Sequence, residues 1–228
     1  MDIDLKYIQE NFIESDELCQ ISEISHQELK TLIDNKLIPN SSYEITITYK
    51  INSPLDDEKV ISEVKKYYPK SVISLIQQNK NLNNSSKFKE SLKTEFINTF
   101  INSNYNNFGY DNITKKDGSV NIEKLNLAFK QEWQHYLKGI YGICTLNGTG
   151  TEIAKKEIVV KRLIEFNKKH GEKKLSDNDK EILTILNNEF NEVSSLFAPY
   201  QRMISSRGKY LDKILELNSL SELIKNYD

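Results

Sequence analysis

Cysteine is nearly missing from this chain of 228 residues: there are two, Cys19 and Cys144, far apart. They offer no disulfide framework and no metal-ligand spacing, and they suit a reducing compartment. Proline (4) and glycine (8) are also scarce, which argues against a turn-rich β sandwich and for long uninterrupted helices. No stretch nears the ~20 apolar residues that a membrane span needs. The acidic opening "MDIDLKYIQENF" has no apolar signal segment, so the expectation is a soluble cytoplasmic protein. A dominant charge is missing too: the net value is −2, and the chain as a whole is not built to coat nucleic acid. What is present suffices for a core. Apolar residues make up 38% and charged residues 28%, the balance of one elaborated domain or of a small domain joined to a larger one.

The pattern along the chain is mainly α. Leu5, Ile8 and Phe12 fall at helical spacing over residues 4 to 12. A second helix starts at Ser15, read as its cap, with Leu18 and Cys19 inward. A third has Ser25 as cap, with Glu28 three residues on completing a capping box, and Leu29, Leu32 and Ile33 as its buried face. Pro39 stops it. "SYEITITYKI" then alternates, with Tyr43, Ile45, Ile47 and Tyr49 on one face, the clearest strand signal in the chain. Helix, turn, helix, strand predicts a winged-helix-like module over residues 1–80. "NSPLDDEKV" reads as the start of a helix over about 56–66. The polar linker "NLNNSS" (81–86) is the expected boundary, and an α-helical body is expected over 87–228. There Phe88, Leu92, Phe96 and Phe100 form one apolar stripe, and Leu125, Phe129, Trp133 and Tyr136 another. An antiparallel helix pair follows, joined through Gly171 and "EKKLSDND" with Ser176 as cap, and then a last helix.

A helix-turn-helix raises the question of DNA. Residues 1 to 44 hold three lysines against ten carboxylates, a net −7, while the remainder holds 28 basic and 23 acidic residues, a net +5. A DNA site typically makes about 6–10 phosphate contacts, and such a module is repelled on approach. The supposed reading helix offers His26, Gln27, Lys30 and Thr31, with no arginine for a bidentate guanine contact. Nucleic acid is therefore not expected, and the acidic module suits a structural role or a basic protein partner.

Familiar chemical motifs fail one by one. "DNITKKDGSVNIEK" aligned on Gly118 puts Ile113, Lys115 and Lys124 at calcium-ligand positions. "LNGTG" lacks the strand–loop–helix frame and the lysine of a phosphate cradle. His26, His135 and His170 are isolated, so no metal is expected. There is no GxSxG elbow, and Ser205 and Ser206 read as helix caps. No cofactor is expected, and whether the chain is an enzyme stays open.

Two clusters remain as candidate ligand-binding residues. Residues 132 to 157 hold the single tryptophan and four of the eight glycines, with Trp133, Tyr136 and Ile140 read on one helix face and Tyr141 close by. Gly139 and Gly142 end that helix or let another backbone approach closely. The aromatic stripe reads either as core or as a pocket wall with polar handles. The second cluster, "FAPYQRMISSRG", places Arg202 and Arg207 in a chain that otherwise prefers lysine. They read as a fork for an anionic ligand or as internal salt bridges, at least one of them held by a carboxylate or an anion.

The stretches "DLKYIQENF…LCQISEISHQELKTLIDNKLIPNSSY", "EWQHYLKGIYGICTLN…EIAKKEIVVKRL" and "FAPYQRMISSRG" resemble a bacterial family known as a domain of unknown function, number 6058, described loosely as natural product biosynthesis proteins. The likeness covers most of the chain and is weakest over 52–86. It implies a role encoded near specialised-metabolite pathways; together with the aromatic–glycine and arginine clusters, the expectation is an accessory or enzymatic protein that binds a small anionic or aromatic metabolite. The resemblance carries no catalytic set, so no residue's role transfers. The alternatives read from the residues are a helix-turn-helix regulator and a protein-interaction subunit.

Overall fold

A computed structural model describes residues 2–82, 85–103, 105, 107, 108, 111–171 and 173–227. Two of the linker asparagines, Asn83 and Asn84, and Glu172 of the expected helix–helix loop lie outside the described residues. The chain is mainly α with a small antiparallel sheet. It opens with α1 (Ile3–Asn11), β1 (Phe12–Glu14), α2 (Ser15–Ser22), α3 (His26–Asp34), β2 (Tyr43–Asn52), β3 (Glu58–Pro69) and α4 (Val72–Asn79). The body follows: α5 (Ser86–Asn102), a minimal hairpin of β4 (Asn107–Phe108) and β5 (Asp111–Asn112), α6 (Ile122–Leu137), α7 (Ile140–Cys144), α8 (Gly150–His170) and α9 (Asp177–Asn191). It ends with α10 (Pro199–Arg202), a π-helical turn (Gly208–Asp212) running into α11 (Lys213–Leu217), and a 3-10 turn (Ser221–Leu223).

Local chemistry explains most boundaries. The Ser25–Glu28 capping box starts α3, and Ser176 accepts from the Asp179 N–H at the start of α9. Ser205 Oγ accepts from the Gly208 N–H, 3.2 Å away. The α2 start differs from expectation: Glu14 is its cap residue and Ser15 already helical, with no side-chain bond there. A second capping box, Thr149 with Glu152, opens α8.

The sheet has the order β1-β3-β2. β2 and β3 pair from Tyr43↔Tyr67 to Asn52↔Glu58, and β1 covers only Tyr67 to Pro69 of β3. Residues 56–66 are therefore not helical: most of them are strand. Val60, Ile61 and Val64 fit helical spacing, but all three are exposed, so no buried face fixes a helix there. They are β-branched, and ten cross-strand pairs with β2 outweigh a local preference.

Among the described residues, four apolar clusters form the core. α2, α3, α4 and the sheet bury Leu18, Leu29, Leu32, Ile38, Tyr68 and Ile76. α5, α6 and α8 bury Leu92, Phe96, Phe100, Leu125, Phe129 and Trp133, the two expected stripes, while Leu127 stays exposed. The far half of α8 packs with α9 and α11. The fourth joins sheet to body: Tyr7, Phe12, Tyr43 and Tyr67 close on Ala198.

That joint is tightened at two glycines. The expected single helix face through Ile140 does not form, because α6 ends at Leu137 and Gly139 turns the chain with φ +78°. The Asn40 N–H donates to the Leu137 carbonyl at 2.9 Å, and the Ser42 hydroxyl to the Gly139 carbonyl at 2.8 Å. A Cβ at Gly139 would stand 2.5 Å from the Ser41 carbonyl oxygen, and one at Gly142 would strike Ser42 Oγ and Pro69. Gly139→Ala is expected to destabilise the fold by about 1–3 kcal/mol from the left-handed backbone alone, and by more from the clash. Urea unfolding checks this; an unchanged midpoint would overturn the tight joint.

Candidate functional site

The joint leaves a cleft of about 370 Å³ between sheet module and body. From the module come Pro39, Pro69, Ser71 and Leu75, and from the body Phe88, Tyr136, Tyr141 and Asn147. A second hollow of about 250 Å³ shares Pro69, Ser71, Gly142 and Asn147 with it, so the groove continues across the glycine contact. Tyr136 leans on Phe88 (5.8 Å between ring centres) and stacks on Trp133 (5.5 Å, 5°). Burial, and Glu95 nearby, push the Tyr136 hydroxyl up.

Among the described residues lining the cleft, Glu95 is the one that carries charge. It accepts the Gly150 N–H at 3.0 Å, beside the N-terminus of α8. Asn147 and Thr149 donate their N–H groups to Glu152, and Thr149 accepts from the Glu152 N–H. The positive helix end is thus already answered by two carboxylates, and an anion entering there meets like charge.

Behind the cleft lies a buried polar cluster. The Tyr141 hydroxyl donates to Glu132, whose carboxylate also stands 3.4 Å from His135 Nδ1. Glu132 is 7% exposed, and Lys156, at 6%, acts on it electrostatically. Desolvation raises the Glu132 carboxyl to about 7, against the pull of Lys156. Glu157, one residue on, is also raised to about 7, by desolvation and by Glu132, with Lys156 and His135 opposing. Two carboxyls poised near neutrality can hold and release a proton.

The expected ligand residues divide. Tyr136 and Tyr141 line the cleft. Trp133 is 3% exposed and packs behind Tyr136 as core. Neither arginine reaches the cleft. Arg202 ends α10 and grips Asp212 with two bonds, Nε to Oδ2 at 2.7 Å and Nη2 to Oδ1 at 3.1 Å. Arg207, 1% exposed, lies in the first turn after Ser205 rather than in irregular chain. It donates to Asn191 Oδ1 at 2.7 Å and to the Ser194 and Ser195 carbonyls, over the face of Phe190. Burial and Arg202 lower its pKa to about 10, so it stays charged at neutral pH. One of the pair is thus held by a carboxylate of this chain, and the arginines serve the fold.

Glu95, Glu132, Lys156 and Glu157 were missed in the sequence. A signal existed for two. Glu132 sits in step with Leu125, Phe129 and Tyr136, and Lys156 lies three residues from both Ile153 and Val159, so both are charged residues on apolar helix faces. Among the described residues, no three His, Cys, Asp or Glu side chains come together as a metal site.

The family model described as "Family of unknown function (DUF6058)" matches residues 88–219, more than half of the chain. The chain belongs to that family. The match starts at Phe88, near the start of α5, and leaves the sheet module outside it. It takes in Tyr136, Tyr141 and Glu132, but not Pro39, Pro69 or Ser71 of the opposite wall. No curated protein and no solved structure matches the chain. No helix among the described residues is long and apolar enough to cross a membrane.

The raised carboxyls carry a pH signature. Between about pH 4.5 and 7 an unfolded Glu132 ionises while the folded one keeps its proton. The unfolded state then binds fewer protons, so stability falls as pH rises through that window and is level above it. Glu132→Gln is expected to flatten its share of the fall, roughly 3 kcal/mol. Unfolding free energies at pH 4.5 and pH 8 test this; an unaltered slope in the variant would exclude Glu132 as the source.

Proposed function

We propose that the protein binds a small aromatic molecule, neutral or cationic, in the cleft between sheet module and body. The observation that carries this reading is the cleft wall: Phe88, Tyr136 and Tyr141 offer ring surface, and among the described residues lining the cleft Glu95 carries the one charge. The anionic alternative rested on Arg202 and Arg207, which are both engaged internally. The setting proposed with it is an accessory or enzymatic role in natural product biosynthesis, the pathway setting that the family resemblance implies. Tyr141, backed by Glu132, is the group best placed to exchange a proton with a bound molecule. Native mass spectrometry of the purified protein is expected to detect a small molecule that leaves on denaturation. Ser91 is exposed on the cleft rim, so Ser91→Trp should abolish that adduct and leave the unliganded melting temperature nearly unchanged. An adduct that persists in the variant would place the binding elsewhere.

A second reading concerns the N-terminal module. The order α1, β1, α2, α3, β2, β3 and the sheet order β1-β3-β2 support a winged-helix-like arrangement. The exposed side of α3 carries Glu28 and Asp34 against Lys30, and His26 faces Asp16 at 3.2 Å. We therefore propose that this module docks protein rather than DNA. Gel shift with random duplex at low salt should show no retardation; a shift that weakens with added salt would restore the regulator.

A further inference from the structure

The β2–β3 hairpin reaches well beyond the cover that the rest of the chain gives it. Past the first pairs both faces are exposed: every residue from Thr48 to Val64 that the two strands contribute is open to solvent. A two-stranded ribbon with no third strand and no covered face is marginal in water. On one face β2 contributes Ile45, Ile47, Tyr49 and Ile51 in succession, while β3 sets Ile61 opposite Tyr49 and the charged Lys65, Glu63 and Lys59 opposite the three isoleucines. Tyr43, at the base of this face, donates its hydroxyl to Gln201 of α10 at 2.8 Å. Beside Gln201, Tyr200 is 58%, Met203 83% and Ile204 69% exposed. The uncovered face, apolar along β2, thus continues from the hairpin towards α10.

The free edges differ. The outer edge of β3, from Glu58 to Lys66, is charged at five of nine positions, the usual guard against pairing. β2 is the edge strand of the sheet, and its ten residues "YEITITYKIN" carry only Glu44 and Lys50. An antiparallel strand of the same sequence can lie along β2 in many registers. Centred on Glu44 or on Lys50, it sets like charges face to face. Centred on Ile47, it sets Glu44 opposite Lys50 of the second strand, twice. No other register pairs these charges. In that register Ile45 meets Tyr49, Thr46 meets Thr48 and Ile47 meets itself, so apolar faces apolar and polar faces polar.

The intrachain pairs extend the match. Lys66 lies 3.4 Å from Glu44, and Lys50 lies 2.6 Å from Glu58. Across a four-stranded ribbon Lys66, Glu44 and Lys50 of the second copy fall in one row, and Glu58 joins Lys50 on the diagonal, since the residue opposite Lys50 is Val60. We propose that the protein forms a two-fold homodimer in which β2 pairs antiparallel with β2 of a second copy, centred on Ile47. The seam satisfies the open backbone groups of the edge and merges the two apolar β2 faces. It is independent of what fills the cleft.

Light scattering on the full chain after size exclusion should give the mass of two chains. The register is read by cysteine cross-linking, with the native protein, whose Cys19 is buried and Cys144 half-buried, as background. Ile47→Cys should yield a disulfide-linked dimer under mild oxidation. Thr46→Cys and Thr48→Cys should each fail to link to themselves, since equivalent residues then lie beyond the ~7 Å Cα separation a disulfide spans. A mixture of the two should link, and because Thr46 and Thr48 are exposed this arm stands even if Ile47→Cys misfolds. A chain that stays monomeric at every concentration would overturn the proposal. So would a Thr48→Cys variant that links to itself as readily as the mixture, which would indicate another register.

Discussion

The close approach at Gly139, backbone against backbone, and at Gly142, backbone against the Ser42 and Pro69 side chains, is the contact on which the rest of the arrangement depends. No side chain fits there, because the Ser41 carbonyl, the Ser42 hydroxyl and the Pro69 ring already fill the space. With the joint closed, Tyr43 reaches Gln201, Tyr7 and Phe12 pack towards Ala198, and Asp4 accepts the Tyr200 N–H at 2.9 Å. The same closure turns Tyr136 and Tyr141 towards Pro69 and Ser71 and makes a cleft where either part alone has an open wall. The cleft is thus a product of the joint, and a change that loosened the joint would alter the cleft without touching its lining.

Charge in the interior follows one rule in two places. Arg207 is satisfied by carbonyl and amide oxygens and by the Phe190 ring, Arg202 by the two oxygens of Asp212. Asp212 closes the π-helical turn, so the extra residue of that turn sits where the carboxylate meets its arginine. Around Glu132 the balance is different. Two carboxyls compete near Lys156 and His135, and both are displaced towards neutrality. The first arrangement is a fixed structural lock; the second leaves a proton poorly assigned, which is the property a functional group needs.

Legibility in the sequence tracked how local the deciding interaction was. The α3 capping box, the Ser176 cap and the apolar stripes of α5 and α6 rest on residues three or four apart, and each was readable. The first part of β3 was not, since Glu58 to Val64 face solvent on both sides and the partner strand, not their own pattern, holds them extended. The close approach at Gly139 and Gly142 could be suspected from two glycines at the end of an aromatic helix, but what approaches lies about a hundred residues earlier.

The order of residues alone determined that the chain is mainly α, where α3 and α9 start, which faces α5 and α6 bury, and that the first 44 residues carry a net −7. It also flagged Tyr136, Tyr141, Arg202 and Arg207 as unusual. Only the tertiary structure decided what each of these does. A tyrosine on an apolar face becomes core or cleft wall according to what packs opposite, and an arginine becomes a ligand clamp or a lock according to whether an internal acceptor reaches it. Both depend on contacts beyond the three- or four-residue step of a helix, which have no fixed spacing for a sequence to display. Asp212, ten residues beyond Arg202, and Ser194 and Ser195, before Arg207, reached the two guanidinium groups first.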